Sequence, residues 1–133
     1  MIILGWRERV ALPELGIDAM KTKIDSSSLA SVVHVTSLQS FERGGEQWLR
    51  FAVRPDPGST DIIVAAAPLK SRGSDADGQR LVIDTPITLG ERTYPVELTL
   101  TTQAAQDFAL IIGRSGIKRG YLIDPNRSYL LGA

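Results

Sequence analysis

Residues 21–31 read KTKIDSSSLAS, an alternating segment that ends in one aspartate followed by three serines. Lysine alternates with threonine and isoleucine ahead of the aspartate, which is the pattern of a half-buried strand. Serine side chains compete for nearby backbone hydrogen bonds, so three in a row favour a tight loop. The segment therefore predicts a strand that carries Asp25 to its end, followed by a loop of Ser26, Ser27 and Ser28.

Short alternating or β-branched segments continue along the rest of the chain. Their number, about nine, and their spacing are typical of an all-β barrel or sandwich. The Gly-Gly pair in ERGGEQ (42–47) predicts a hairpin, and SRGSDADGQ (71–79) predicts a long polar turn. One short helix is expected near 113–119, and AAQDF (104–108) has room for one helical turn. The predicted strands are WRERVAL (6–12), AMKTKID (19–25), SVVHVTSL (31–38), WLRFAV (48–53), IIVAAA (62–67), RLVIDT (80–85), ITL (87–89), TYPVELTLT (93–101) and a last hairpin, YLID-PN-RSYLL (121–131).

The composition is that of a soluble globular protein with a single domain over residues 1–133. Fifteen basic and fifteen acidic residues cancel, which argues against nucleic acid as a partner. The absence of cysteine excludes disulfides and thiolate chemistry. The apolar N-terminal run is too short for a secretory signal, and no apolar run reaches the roughly 18 residues that span a bilayer. A cytoplasmic location and no membrane contact are expected.

Several common kinds of site do not fit the residues present. The single histidine, His34, lies in an apolar strand, and GRSG (113–116) lacks the second glycine of a serine nucleophile elbow. DADG (75–78) begins like a calcium loop, but Pro86 stands where the bidentate glutamate is needed. One histidine without cysteine leaves no zinc ligand set. We predict neither a metal nor a cofactor.

Carboxylate pairs remain as candidate chemistry. Aspartic peptidases activate water between two aspartates that share one proton, because two such close charges cannot both ionise. The chain contains I-D-S at 24–26 and I-D-T at 83–85. Pro86 follows the second motif and spoils a loop that cradles a carboxylate, so Asp84 is expected at a strand end instead. A paired Asp25 therefore requires a second copy of the chain.

The order of these parts resembles the retropepsin-like aspartic peptidases. In that family a hydrophobic-Asp-Thr/Ser-Gly-Ala/Ser loop meets a hydrophobic-hydrophobic-Gly-Arg segment before a short helix, as KIDSSS (23–28) and LIIGR (110–114) do here. More closely, the chain resembles a bacterial family named ATP-dependent zinc proteases, which is linked to RimK-type ATP-grasp amino-acid ligases. The resemblance covers almost the whole chain. Its pieces are GWRERVALPELGI (5–17), KTKID (21–25), the block 38–51, LVIDTPITLG (81–90), VELTLT (96–101), LIIGR (110–114) and LIDPNRSYLL (122–131).

The resemblance implies a half-barrel that is completed as a homodimer. Asp25 matches the catalytic aspartate, Ser26 the residue that braces the paired loops, and Ser28 the Ala/Ser position. Ser27 stands where the family has glycine, and Leu29 where retropepsins often have an acidic partner for the arginine. The remaining implied roles are structural support by Gly113 and Arg114, and a flap over the cleft that contains Arg72, Gly73, Ser74, Asp75 and Gly78.

Three functions are open at this point. The first is an aspartic-type peptidase or amidase in which paired Asp25 residues activate water on a peptide-like bond. The second is a catalytically degenerate module that grips an extended peptide, because Ser27 replaces the glycine. The third is association with an ATP-grasp ligase and its product.

Overall fold

A computed structural model describes residues 1–75, 78–105 and 107–132 of the chain. These residues form twelve strands and two 3₁₀ turns, and the described ranges contain no α-helix. The strands are β1 (Ile2–Gly5), β2 (Arg7–Leu12), β3 (Ile17–Ile24), β4 (Val32–His34), β5 (Ser37–Arg43), β6 (Glu46–Val53), β7 (Ile63–Pro68), β8 (Ser71–Asp75), β9 (Gly78–Leu89), β10 (Arg92–Thr101), β11 (Leu110–Ile112) and β12 (Tyr121–Asp124).

Six strands close into a mixed barrel. Their order is β10-β4-β11-β3-β2-β9, and β9 pairs back onto β10 to complete the ring. The pairs β10–β4 and β11–β3 are parallel, whereas β2–β3 and β9–β10 are antiparallel. The expected all-β barrel is therefore confirmed.

The barrel is filled by the apolar residues of alternating strands. In β9 every second residue from Leu81 to Leu89 is buried, including Thr85, and in β10 the inward residues are Val96, Leu98 and Leu100. Full burial of one such side chain stabilises the fold by about 1.5–3 kcal/mol. Alternation in the sequence therefore becomes the inner wall of the barrel.

A second, three-stranded sheet packs beside the barrel in the order β5-β6-β7. Gly44 and Gly45 connect β5 to β6 with φ of 58° and 81°, values that glycine adopts without strain. Leu49, Phe51 and Val53 turn inward from β6 and join the core. The hairpin predicted at 42–47 is confirmed.

The two ends of the described chain pair in parallel. β1 lies beside β12, with Ile3 opposite Leu122, and both side chains are about half exposed. The last hairpin predicted at 121–131 is wrong, because among the described residues, which end at 132, no strand follows β12. Instead the amides of Leu130 and Leu131 donate to the fully buried Glu8 carboxylate at 3.0 and 3.2 Å, so they are not available for a ladder.

Three further expectations need correction. The segment 113–119 contains only a 3₁₀ turn, Arg114–Gly116, rather than a helix. β9 runs unbroken through Pro86, which lies opposite Pro95, so the missing N–H groups fall at one register position. The polar turn at 71–79 is the β8–β9 hairpin, whose residues 76 and 77 lie outside the described residues. The possible helical turn at 104–108 includes residue 106, which also lies outside them.

Candidate active site

Asp25 is the first residue beyond β3, where the strand leaves the barrel. Its amide donates to the carbonyl of Ile112 at 2.8 Å, and the amide of Ile24 donates to the carbonyl of Trp6 at 2.9 Å. Ile24 is buried, whereas Asp25 is partly exposed. β11 and the residue between β1 and β2 thus fix the backbone that presents the Asp25 carboxyl to solvent.

The serines of the loop hold both oxygens of this carboxyl. Oδ1 of Asp25 accepts from the Ser27 amide at 3.0 Å and from Ser27 Oγ at 2.5 Å. Oδ2 accepts from Ser28 Oγ at 3.0 Å. The Ser27 hydroxyl contributes most to lowering the pKa of Asp25, while partial burial opposes it and the charge of Lys23 adds to it. The loop therefore stabilises the ionised form of Asp25.

The segment after β11 closes over the serine loop and makes glycine necessary at position 113. A Cβ on Gly113 would meet the carbonyl oxygens of Leu29 and Ser28 at 2.8 Å and that of Ala30 still closer. The Gly113 amide donates to the buried Ser31 hydroxyl at 3.0 Å. This close approach of two backbones is possible only without a side chain.

Arg114 continues the same contact. Its amide donates to the carbonyl of Ser28 at 2.8 Å, and its Nη1 donates to the carbonyl of Ser26 at 2.9 Å. The leucine at position 29, where an acidic partner was considered, is 65% exposed. Arg114 therefore supports the loop through a backbone carbonyl, in place of an ion pair with residue 29.

The other candidates from the sequence lie elsewhere. Asp84 is in the middle of β9, opposite Glu97, and the Lys70 ammonium contacts both carboxylates at 3.0 and 2.6 Å. The expectation that Asp84 ends a strand is wrong, because the ladder with β10 continues to Leu89. His34 ends β4, and its Nδ1 lies 3.0 Å from the carbonyl of Gln103. Among the described residues no cluster of acidic or histidine side chains has the geometry of a metal site.

The proposed flap segment forms a hairpin arm attached to the barrel. In its ladder Arg72 lies opposite Leu81, Gly73 opposite Arg80, and Asp75 opposite Gly78; Ser74 faces residue 79 in the same ladder. A cavity of about 600 Å³ is lined by residues of β4, β9, β10 and β11, among them Val32, Arg80, Thr99 and Ile111, and Asp25 is not part of its lining.

The sequence alone did not show which charged residues lie opposite Lys21 and Lys23 of KTKID in the folded protein. Lys21 and Lys23 lie directly opposite Arg9 and Arg7 of β2. The alternation of WRERVAL and AMKTKID contained the signal, since it places the cations of each strand on one face. Only the register of the two strands shows that these faces coincide.

Barrel, hairpin arm and strand-end aspartate together define a retropepsin-like protein. A family model described as "RimB-like: Retropepsin-like aspartic endopeptidase RimB" matches residues 3–132. The chain belongs to this RimB-like family, in agreement with the resemblance found in its sequence.

Longer proteins also contain a segment similar to this chain. Proteins named "Probable alpha-L-glutamate ligase" from Shewanella pealeana and Parasynechococcus marenigrum are each 33% identical over 98% of the chain. The chain spans only 30% and 29% of the length of these relatives, so in them the domain is fused to other regions.

A solved structure supports the fold. The protein Lpg0085 of unknown function (DUF785) from Legionella pneumophila superposes with a TM-score of 0.82 over 98% of both chains. The two sequences are 21% identical, so this likeness concerns the fold only. No helix in the described ranges has the length and apolar character needed to cross a membrane.

Proposed function

We propose that the chain acts as an aspartic-type endopeptidase, with Asp25 of two copies sharing one active site. The observation that carries this proposal is the strand-end carboxyl, partly exposed and held in place by Ser27 and Ser28. Membership of the RimB-like family supports it. The substrate would be an extended peptide bound between the Asp25 loops and the β8–β9 hairpin arm.

The chemistry follows from two carboxyl groups that share one proton. The ionised carboxylate removes a proton from a water molecule, whose oxygen attacks the peptide carbonyl carbon. The protonated carboxyl of the other copy donates to the carbonyl oxygen, giving a tetrahedral diol. The diol collapses when the carboxyl that took the water proton gives it to the amide nitrogen and the other carboxylate takes a proton from a diol hydroxyl. The C–N bond then breaks and releases an amine and a carboxylic acid, and the pair again holds one proton. Each Asp25 therefore has a separate role, although the two copies are identical.

Exposed apolar side chains support the dimer that this mechanism requires. Leu29 lies four residues beyond Asp25 and is 65% exposed. Ile3 and Leu122 form a second exposed pair on the small β1–β12 sheet. A second copy that covers these residues would remove apolar surface from water. The same association would bring the two Asp25 loops together.

A mixing experiment tests the shared site. Wild-type protein is combined with increasing fractions of Asp25→Asn protein, after subunit exchange, and turnover of a peptide library is measured. Because a dimer with one asparagine lacks half of the pair, activity should fall as the square of the wild-type fraction. A linear fall would show that each chain acts alone and would overturn the shared site. Equal turnover by the pure Asp25→Asn protein would overturn catalysis by Asp25 altogether.

A second candidate function is peptide binding without catalysis. The Ser27 hydroxyl donates a hydrogen bond to Oδ1 of Asp25. It also adds a side chain at a position where the family has glycine. Such a module would still grip an extended peptide by strand addition to the hairpin arm. Turnover that is absent in wild type and is not gained by Ser27→Gly, together with peptide binding, would favour this function.

The fused relatives suggest a substrate and a partner. Their name refers to glutamate ligation, so we propose that this chain acts on glutamate-containing peptides and associates with an ATP-grasp ligase. The partner is testable by co-purification of the two proteins from the same cells. Cleavage of glutamate-containing peptides, compared with glutamine analogues, tests the substrate.

A further inference from the structure

Four cations lie on one outer face of the barrel. Arg7 and Arg9 of β2 are directly opposite Lys23 and Lys21 of β3, and we refer to these four residues as the basic face. Like charges directly opposite each other destabilise a strand pair. The chain has no excess of basic residues, since 15 basic and 15 acidic residues balance. The basic face is therefore a local concentration of charge that folding does not require.

Arg7, Arg9 and Lys21 contact aromatic rings rather than carboxylates. The Lys21 ammonium lies 5.3 Å from the Phe108 ring, and Arg7 Nε also donates to Ser128 Oγ at 3.1 Å. The Arg7 guanidinium lies 4.7 Å from the Trp6 ring and 5.2 Å from the Tyr129 ring. Arg9 lies 4.4 Å from the same Tyr129 ring. Among the described residues, no carboxylate lies within salt-bridge distance of Arg7, Arg9, Lys21 or Lys23. These cations thus remain available to an anion from outside.

The basic face leads to the candidate active site. Lys23 precedes Asp25 by two residues and Lys21 by four, which at about 3.3 Å per residue correspond to about 7 and 13 Å along the strand. Lys23 also lines a cavity of about 420 Å³ together with Trp6, Phe108 and Ile111, and one carboxylate, that of Asp107, shares this lining. An extended peptide that passes Asp25 therefore has cations beside it within a few residues of the scissile bond.

We propose that the basic face binds acidic side chains of the peptide substrate on one side of the scissile bond. The inference rests on the proposed endopeptidase function, because that function brings a peptide to Asp25. Nucleic acid is a less suitable ligand for the basic face than an acidic peptide. The Trp6 and Tyr129 rings already contact Arg7 and Arg9, whereas binding to single strands uses aromatic faces that are free for bases.

Binding is tested first, in protein that cannot turn over. Asp25→Asn protein is titrated with a labelled peptide in which glutamate alternates with alanine, and with its glutamine analogue. The Arg9→Gln/Lys21→Gln variant should bind the glutamate peptide roughly 3- to 10-fold more weakly at low salt, as the loss of two exposed ion pairs predicts. The difference should shrink as salt screens the charges. The glutamine analogue should bind both proteins equally.

A matched control comes from the second sheet. Arg43 and Arg50 also lie on a strand pair, and Arg43 stacks on Trp48 at 4.8 Å, much as Arg9 stacks on Tyr129. Arg43→Gln/Arg50→Gln should leave affinity for the glutamate peptide unchanged. Equal losses in the two double variants would show a general charge effect and overturn the proposal.

Two further measurements complete the test: steady-state kinetics with the glutamate peptide and binding of a single-stranded oligonucleotide. In protein with Asp25 intact, Arg9→Gln/Lys21→Gln should raise KM for the glutamate peptide and leave kcat unchanged, because neither residue touches Asp25. A single-stranded oligonucleotide of equal charge that binds more tightly than the peptide would overturn the proposal. If no peptide is cleaved but the Asp25→Asn protein shows the expected binding pattern, the endopeptidase function fails while the basic face stands.

Discussion

Two segments of this chain share the pattern isoleucine, aspartate, hydroxyl residue, yet the fold treats them differently. Asp25 in the first segment leaves its strand and accepts hydrogen bonds from Ser27 and Ser28. Asp84 in the second segment stays in the middle of β9 and contacts Lys70 in solvent. The same three-residue pattern therefore occurs in a strand-end loop that hydrogen-bonds its carboxyl and in a mid-strand surface ion pair, and the backbone around each aspartate makes the difference.

The largest expected difference between the two aspartates is in catalysis. Asp25→Asn should reduce kcat by at least about 10²–10⁴-fold, the usual contribution of general acid-base groups. Asp84→Asn should leave turnover of the same peptide unchanged, because the Asp84 carboxylate pairs with Lys70 in the middle of β9. Circular dichroism would verify that both variants are folded. A comparable loss in Asp84→Asn would contradict the distinction.

The next effect concerns stability at the backbone contact that supports the Asp25 loop. Gly113→Ala forces a methyl group against the carbonyls of Ser28 and Leu29, so we expect a loss of about 1–3 kcal/mol in the free energy of unfolding. Gly73→Ala in the hairpin arm is the control, since its nearest neighbour would be Arg80 Cβ at 3.9 Å. Urea denaturation of both variants measures the difference. Equal stabilities would mean that the contact at Gly113 relaxes without cost.

A smaller effect concerns the pH dependence of Asp25. Ser27→Ala removes the hydroxyl that contributes most to the lowered pKa, so the pKa of Asp25 should rise. Carboxyl NMR titration of Asp25 measures this pKa directly. Ser27→Thr, which keeps a hydroxyl, should restore the low pKa.

The same pKa difference has a consequence for stability. The folded protein holds Asp25 at a lowered pKa, so the hydrogen bonds of Ser27 and Ser28 stabilise it above the unfolded pKa of about 3.9. This contribution is lost as the pH falls through the folded pKa. Ser27→Ala should therefore destabilise the protein at neutral pH but leave its stability at the most acidic pH unchanged. A uniform loss at every pH would point to packing instead of charge.

The smallest effect is expected at the ion pairs of Asp84. Interactions with Glu97 and Asp84 raise the pKa of Lys70, so they stabilise the fold below the unfolded pKa of lysine and are lost as the pH rises through the folded value. Lys70→Met should lower stability only slightly and less still at high salt, because exposed pairs are screened. Thermal unfolding of the wild type and of Lys70→Met at two salt concentrations measures this loss of stability. A loss that is large and insensitive to salt would show that this site is more than a surface pair.

Local patterns were enough to predict several parts of the site. The alternation of KTKID and the three serines placed Asp25 at a strand end before a loop, and the Gly-Gly pair located the β5–β6 hairpin. These features depend on neighbours in the sequence. The 3₁₀ turn at Arg114–Gly116 was expected as a longer helix, because a short apolar and basic segment does not reveal how the chain around it packs.

Other parts depended on distant contacts. The partner of Arg114 is a carbonyl in the Asp25 loop, 88 residues away, and no pattern of side chains points to a carbonyl. Burial of Glu8 likewise depends on amides at the other end of the described chain. The opposition of Arg7 and Lys23 requires the register of β2 against β3.

The amino-acid order by itself determined most of the barrel strands, their inner and outer faces and the polar loop that follows Asp25, because alternation and turn chemistry act over a few residues. Only the tertiary structure decided which backbone carbonyls support the Asp25 loop, which glycine must lack a side chain and which cations share a face. Those properties arise where segments far apart in the chain meet. There the contacts between backbones and the register of paired strands fix the positions of the side chains.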